Sequence, residues 1–283
     1  MAEIQALDIE LGATASGALP ATVLRQRVES IALGTGAIVL LLVIWELLPH
    51  FLPIKQGTRL FFTVPSRVLA VLWQMFATGS IWAPLGVSAA AFAIGLALAV
   101  AAGLPLGILL GRSKTLNAML DPFVTAFNAT PRLVFLPLLM LWLGIGMWSK
   151  IAIVFLGAVF PLLINTHEGV RNADKVLINV VRSFGATEWD VARLVVLPNA
   201  LPFIVVGLRL AIGRAILGVV VAEFFGAQDG VGVVMVRAAS SFNVDVVFAG
   251  LIIFAGLSLI MTGLVKLLEE RMSRWRPQRA ANE

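Results

Sequence analysis

Apolar residues run along this chain in long blocks, and the polar positions between them set where each block ends. Ile31 to Leu48 reads as a first membrane span, retained rather than cleaved, because Trp45, Glu46 and His50 follow it where a signal peptide would place small residues. Ala83 to Gly111 carries no charge and reads as the second. Within it Ala91, Gly95, Ala99, Gly103, Gly107 and Gly111 recur every fourth residue, a small-residue face that lets another helix approach closely. Between these two spans, Val68, Leu69, Leu72, Trp73 and Phe76 recur at helical spacing over Pro65 to Phe76. That helix is too short to cross a ~30 Å hydrocarbon core and is expected to lie at the outer interface.

After Arg112 and Lys114, Asp121-Pro122 is expected to open a helix. From Leu133 to Ile164 Lys150 is the only charge, and at ~1.5 Å per residue this stretch exceeds a bilayer's thickness, so it must fold back. The glycines of Gly144–Lys150 mark the turn, giving a third span over Pro131–Leu143 and a fourth over Ile151–Asn165, kinked at Pro137 and Pro161. Leu201–Val221 and Val246–Leu267 are the fifth and sixth. The Gly-containing segment between them, Glu223 to Asp245, is expected to dip partway into the membrane.

One long polar insert, residues 165–202, breaks this pattern. Val176, Leu177, Val180, Val181 and Phe184 form one helical apolar face, and Gly185 supplies the left-handed position that ends a helix. Thr187 is the N-cap of a second helix, with Glu188 and Asp190 in its first turn. That helix continues through Trp189, Ala192, Val195 and Val196 and is expected to stop near Leu197, since Pro198 disfavours helix in the residue before it.

Composition fits this picture. Of 283 residues 59% are hydrophobic and 13% charged, with mean hydropathy +0.96, which defines an all-α integral membrane protein. Cysteine is absent and the two histidines, His50 and His167, lie far apart, which argues against disulfides, a thiolate or histidine metal centre and a Ser-His-Asp triad. The net charge of +5 does not point to nucleic acid, because the cations flank apolar spans rather than cluster on one water-facing surface. With both termini cytoplasmic, Arg25, Arg27, Arg112, Lys114, Arg132, Arg171, Lys175, Arg182, Arg193, Lys266, Arg271, Arg274, Arg276 and Arg279 lie inside, against Lys55, Arg59, Arg67, Lys150 and Arg237 outside. This bias puts the polar insert in the cytoplasm, and Trp45, Trp82, Trp142 and Trp148 fall at the outer ends.

Charge within a span is costly and marks candidate function. Taking Pro202 as the inner end of the fifth span, Arg214 lies about 18 Å deep, close to the midplane, and Arg209 is shallower. The two are about 140° apart around the helix and cannot share one narrow face. Arg214 is the better candidate to face a translocation path and offer charge to an anion, the competing role for each arginine being a structural ion pair. Glu223, at the outer end of the same span, suits a structural or gate contact. Asn128 and Thr130 could lend polar groups to the path.

The insert also carries a resemblance. Gly185 followed by Val195, Leu197 and Pro198 has the glycine to (Ile/Val)-x-Leu-Pro spacing of the EAA loop, which identifies permease subunits of binding-protein-dependent ABC importers. The Glu-Ala-Ala positions of that motif hold Asn179, Val180 and Val181 instead. DPFVTAFNATPRLVFLPLLMLWLGIGMWSK, FPLLINTHEGV and GLRLAIGRAILGVVVAEFFG further resemble the nitrate, sulfonate, taurine and bicarbonate subgroup, over roughly Pro65 to Arg276. The resemblance implies a six-helix type I ABC importer-like permease fold in a bacterial inner membrane. The spans and the charge bias divide the chain into a cytoplasmic segment 1–30, which lies outside the resemblance, a permease domain 31–270 with coupling loop 165–202, and a cytoplasmic basic tail 271–283.

The resemblance further implies that Gly185 to Leu197 is a coupling helix docking in a groove of a cytoplasmic ATPase subunit. Gly185, Ala186, Thr187, Leu197 and Pro198 would set its geometry, Trp189 would be its apolar knob, and Glu188, Asp190 and Arg193 its polar contacts. Two ATPase copies, a second permease copy in a homodimer and an external solute-binding protein complete the implied assembly. No G-x-x-x-x-G-K-[ST] loop occurs, so ATP and Mg would bind to the partner ATPases and this chain would carry no cofactor. Of the competing classes, an ATP-independent secondary carrier or channel would bring inverted repeats or broken helices with intramembrane acids. An intramembrane enzyme would bring paired carboxylates or an activated nucleophile. Neither set of features is present in the spans.

Overall fold

The computed structural model describes residues 21–51 and 61–272, and the chain divides into two compact units, one up to Leu69 and one from Ala70. Lys55 and Arg59 of the outer connection, residues 1–20 of the N-terminal segment, and Arg274, Arg276 and Arg279 of the tail lie outside the described residues.

In the first unit, helix α1 (Ala21–Phe51) contains the expected first span, its most apolar window being Ala32–Pro49. The indole of Trp45 donates to the Thr63 carbonyl at 3.0 Å. Glu46 accepts from the amide and the hydroxyl of Ser66 at 3.0 and 2.7 Å, at the first turn of α2 (Pro65–Ala77). Helix α2 is the short amphipathic element expected from the spacing.

The second unit is built around three long helices: α3 (Trp82–Arg112), α6 (Met147–Arg171) and α9 (Leu197–Gly226). Helix α6 lies in the middle, with 61% of its most apolar window buried. Helix α3 runs parallel to it, because the small residues at every fourth position of α3 receive successive turns of α6. A methyl placed on Gly107 would lie 2.6 Å from Thr166 Cβ and 2.7 Å from the Leu163 carbonyl, so only a glycine permits this approach. Helix α9 runs antiparallel to α6, its Gly218 facing Val154 and its Gly207 facing Asn165. Phe92, Ala99, Val154, Ala158, Leu162, Ala215 and Val219 fill the core between the three.

Two elements depart from expectation. Helix α4 (Lys114–Ala129) opens at Ser113, whose hydroxyl accepts from the Leu116 amide at 3.2 Å, rather than at Asp121-Pro122. It then breaks: Pro131 holds Thr130 extended at φ −70°, ψ 131°, a short 3-10 turn follows over Arg132–Phe135, and α5 (Leu136–Leu143) leaves at 91°. The expected third span, Pro131–Leu143, is therefore a short helix behind a break, and only the bent pair Lys114–Leu143 is long enough to count as a crossing. Pro137 sits in the first turn of α5, where its missing N–H costs nothing, and does not kink a span. Five helices among the described residues are long and apolar enough to cross a membrane, and the bent pair makes six.

The second departure is at Pro198. The helix does not stop near Leu197: residues Glu188–Gly226 form one helical stretch of 39 residues. A proline inside an α-helix lacks the N–H for its own turn and presses its ring on the preceding one. The five residues Ala192–Val196 widen into a π-helical turn, in which the Leu197 amide reaches back to the Ala192 carbonyl, and Pro198 follows in the first turn of α9. The widened turn absorbs what a proline would otherwise break.

Helix α10 (Val231–Ser240) is the short apolar helix between α9 and α11 (Val244–Met272), where the sequence suggested a segment entering the membrane only partway.

Candidate functional site

Helix α7 (Lys175–Ser183) opens at Asp174, whose carboxylate accepts from the Val176 amide at 2.7 Å. It closes at Gly185, with φ +81° and the Ala186 amide donating to the Val181 carbonyl, the six-to-one bond of a glycine-terminated helix. Thr187 is the N-cap of the four-residue α8 (Glu188–Val191). Its hydroxyl accepts from the Asp190 amide at 3.3 Å and its amide donates to Asp190 Oδ2 at 2.9 Å, a reciprocal capping box. Hydrogen bonds from the Thr187 side chain and backbone hold the Asp190 carboxyl below the usual carboxylate range.

Glu188 does more than sit in the first turn. Its carboxylate accepts from Arg182 at 2.7 and 3.1 Å and from Arg112 at 3.1 Å, which ties the elbow both to α7 and to the inner end of α3. Glu188 is thus committed within the chain, whereas Arg193 and Trp189 are not. Val191, Val196 and Ala186 turn inward onto Val170, Ala173 and Ala200, and Val195 is buried as well. On the other side Phe184 and Trp189 are 87% and 69% exposed, and Val176, Leu177, Val180 and Leu194 are exposed with them. Of the apolar face that the spacing of α7 describes, Val181 packs onto this buried cluster, and Val176, Leu177, Val180 and Phe184 have no cover among the described residues. Beside it a cavity of about 750 Å³ is lined by Arg112, Lys114, Asn117, His167, Arg171 and Lys175, so the apolar face is flanked by concentrated positive charge.

The spans hold three further groups of polar residues. Arg209 is paired with Glu269 of α11 at 2.5 Å, so its charge is already balanced by a structural partner. Glu223 is fully buried. It accepts from Ser88 Oγ of α3 at 2.7 Å and from the Gly232 amide at 2.8 Å, and it pairs with Lys150 of α6 at 3.4 Å. Lys150 also donates to the Asp229 carbonyl, and the Val231 amide donates to Ser88 Oγ at 3.0 Å. Sequence reasoning placed Lys150 in an outer turn among the exposed cations. It lies instead in the first turn of α6, 3% exposed, and Ser88, which no spacing pointed to, joins it around Glu223.

Arg214 is the third. Its backbone crosses α6 at Gly157, where an added methyl would meet the Arg214 carbonyl at 2.9 Å, and Gly157 lies near the middle of Met147–Arg171. This agrees with the depth expected from the sequence. Among the described residues no ion pair or hydrogen bond neutralises its guanidinium, and the residue is exposed. Thr130 returns its hydroxyl to the Ala126 carbonyl at 2.8 Å, and Asn128 Oδ1 is 3.5 Å from Arg132 Nη2. Arg132, counted with the inner cations, occupies the break between α4 and α5, within the bundle, because Thr130-Pro131 ends α4 there.

Long apolar helices joined by a capped polar elbow define a multi-pass membrane protein with one structured polar projection. Residues 103–274 match the family model described as binding-protein-dependent transport system inner membrane component. The chain is 32% identical over 252 residues to the taurine transport system permease protein TauC of Escherichia coli (strain K12), covering 87% of this chain and 90% of that one. It is 37% identical over 212 residues to a Bacillus subtilis (strain 168) protein provisionally named aliphatic sulfonates transport permease protein SsuC, covering 75% and 77%. Among solved structures it resembles a chain of the MetNI methionine ABC transporter in an inward-facing conformation, with TM-score 0.60 and 21% identity over 66% of this chain and 94% of that chain. This chain therefore belongs to the binding-protein-dependent transport system inner membrane component family and is a membrane-spanning ABC importer permease. A secondary carrier or channel is not favoured. Such a permease works with a separate ATPase and a solute-binding protein.

Proposed function

We propose that this permease carries a small organic anion of the sulfonate or carboxylate class inward, in an assembly of two permease copies, two ATPases and an external binding protein, with both its termini cytoplasmic. The observation that supports an anionic solute is Arg214, an unneutralised cation at the middle of the central helix pair. The names of the taurine and aliphatic sulfonates relatives point the same way. ATP and Mg belong to the partner ATPases. In this reading the exposed face formed by Val176, Leu177, Phe184, Trp189 and Leu194 is the seat of the ATPase, since an apolar helical face of this kind is buried in a groove when its partner is present.

Reconstitution in proteoliposomes with the ATPase and binding protein tests the solute: ATP-dependent uptake of radiolabelled taurine is expected, and Arg214→Ala is expected to abolish it while the assembly still forms. Normal uptake by an assembled Arg214→Ala complex rejects the role of Arg214, and absence of taurine or ethanesulfonate uptake by the unaltered complex rejects the solute class.

A further inference from the structure

Arg214 is not alone. The turn that carries Arg132 is bracketed in sequence by Phe127 and Phe135, whose rings stack with centroids 6.1 Å apart. Phe127 stacks in turn on Phe160 of α6, again at 6.1 Å and nearly parallel at 6°. The stack fixes the Arg132 turn against α6 at Phe160. Arg214 crosses the same helix at Gly157, three residues away and therefore on the same side. Two arginines 82 positions apart in sequence thus reach one level of the bundle, near its middle, where their like charges act on each other.

Among the described residues no carboxylate pairs with either of them. Arg209 and Lys150 each have a carboxylate, Glu269 and Glu223 respectively. The guanidinium of Arg132 has only the distant Asn128 Oδ1 as a hydrogen-bond acceptor, and its Nε is closed off from solvent without a partner. An unmatched buried N–H of a charged group is costly, and native structures rarely keep one unless something else supplies the acceptor. Two planar guanidinium forks brought to one level of the bundle suit an oxyanion, which can accept from both and cancel their repulsion. The stacked rings of Phe127, Phe135 and Phe160 beside them offer an apolar wall for an organic remainder, which suits a sulfonate or carboxylate with a short carbon tail.

We propose that Arg132 and Arg214 together form a two-guanidinium clamp that recognises the oxyanion group of the solute midway along the path, with the Phe127–Phe135–Phe160 stack seating its carbon tail. The clamp deepens the reading of Arg214 given above and rests on it for the solute class, but its binding can be measured without transport.

The probe is ethanesulfonate. The purified permease–ATPase complex, in nanodiscs of zwitterionic lipid so that no anionic headgroup competes, is melted with and without the anion at constant ionic strength. A saturable rise in melting temperature is expected for the unaltered complex. Arg132→Gln and Arg214→Gln are each expected to weaken ethanesulfonate about tenfold or more. Without the anion neither variant should melt below the parent, because each loses a repulsion, which separates a lost ligand from a lost fold. Arg132→Lys and Arg214→Lys should retain part of the response, since charge remains but the fork is gone. The clamp is overturned if the parent shows no shift, or if the shift survives in either glutamine variant. It is equally overturned if phosphatidylglycerol nanodiscs raise the melting temperature and abolish the ethanesulfonate response, which would assign the pair to a lipid headgroup. Failure of taurine uptake with the clamp's binding intact would reject the transported solute and leave the site standing; uptake that ignores Arg132 would reject the clamp alone.

Discussion

Lys150 Nζ lies 3.4 Å from Glu223 Oε1, with the two side chains 4% and 0% exposed. An ion pair withdrawn this far from solvent survives because each partner has further hydrogen bonds, Glu223 from Ser88 and Gly232 and Lys150 to the Asp229 carbonyl. Through it α3, α6, α9 and the segment leading into α10 are joined at one point.

Removing one partner strands the other. Lys150→Met is expected to cost about 3–5 kcal/mol, seen as a lowered melting temperature and reduced accumulation in the membrane. The double variant Lys150→Met/Glu223→Gln should recover part of that loss, because no unbalanced charge is left and the glutamine carbonyl can accept from the Gly232 amide while its NH2 donates to Ser88 Oγ. A double variant no better than the single one would show that the charges do not act as a pair.

The α3–α6 contact sets a second expectation. Gly107→Val places atoms where Thr166 and the Leu163 backbone already are, and backbone cannot yield as a flexible side chain does. The protein should fail to accumulate. Gly213→Ala, on a helix face with nothing within 4 Å, should accumulate normally in the same blot.

At the elbow, Gly185 has φ +81° and open space around its Cα, so an added methyl meets strain but no clash. Gly185→Ala is therefore expected to cost about 1–2 kcal/mol, and Gly185→Asn less. ATPase activity stimulated by the binding protein should fall in the same order, alanine below asparagine below the parent.

Trp189 is the most direct probe of docking. A cysteine at Trp189 is expected to cross-link to the ATPase subunit, whereas one at Val191, which is buried in the chain, should not. Capture from both positions, or from neither, would remove the docking role from this face.

Local signals carried the elbow into view: Gly185, Thr187 and the Glu188/Asp190 pair act within a few residues of each other, so their geometry follows from spacing alone. The small-residue series of α3 was equally legible, since one helix's surface is written at every fourth position. The break at Thr130-Pro131 was harder, because a proline can stop a helix, sit in a first turn or be absorbed within a continuing one: Pro131 follows a stop, Pro137 sits in a first turn, and Pro198 follows a π-helical turn in an unbroken helical stretch. The pairing of Lys150 with Glu223 and the approach of Arg132 to Arg214 depend on which helices are neighbours, which no local pattern states. Arg209 illustrates the same gap: its depth was readable and its partner Glu269, 60 residues on, was not.

The π-helical turn at Ala192–Val196 has a mechanical meaning. Because Pro198 does not sever the chain of backbone bonds, Trp189 and Arg214 are two points on one shaft, about 37 Å apart at ~1.5 Å per residue. A tilt imposed at the Trp189 tip needs no relay of side chains to be felt at the arginine, and the widened turn near the tip is a place where the shaft can twist or lengthen. Stroke at one end and electrostatics at the other are properties of a single body.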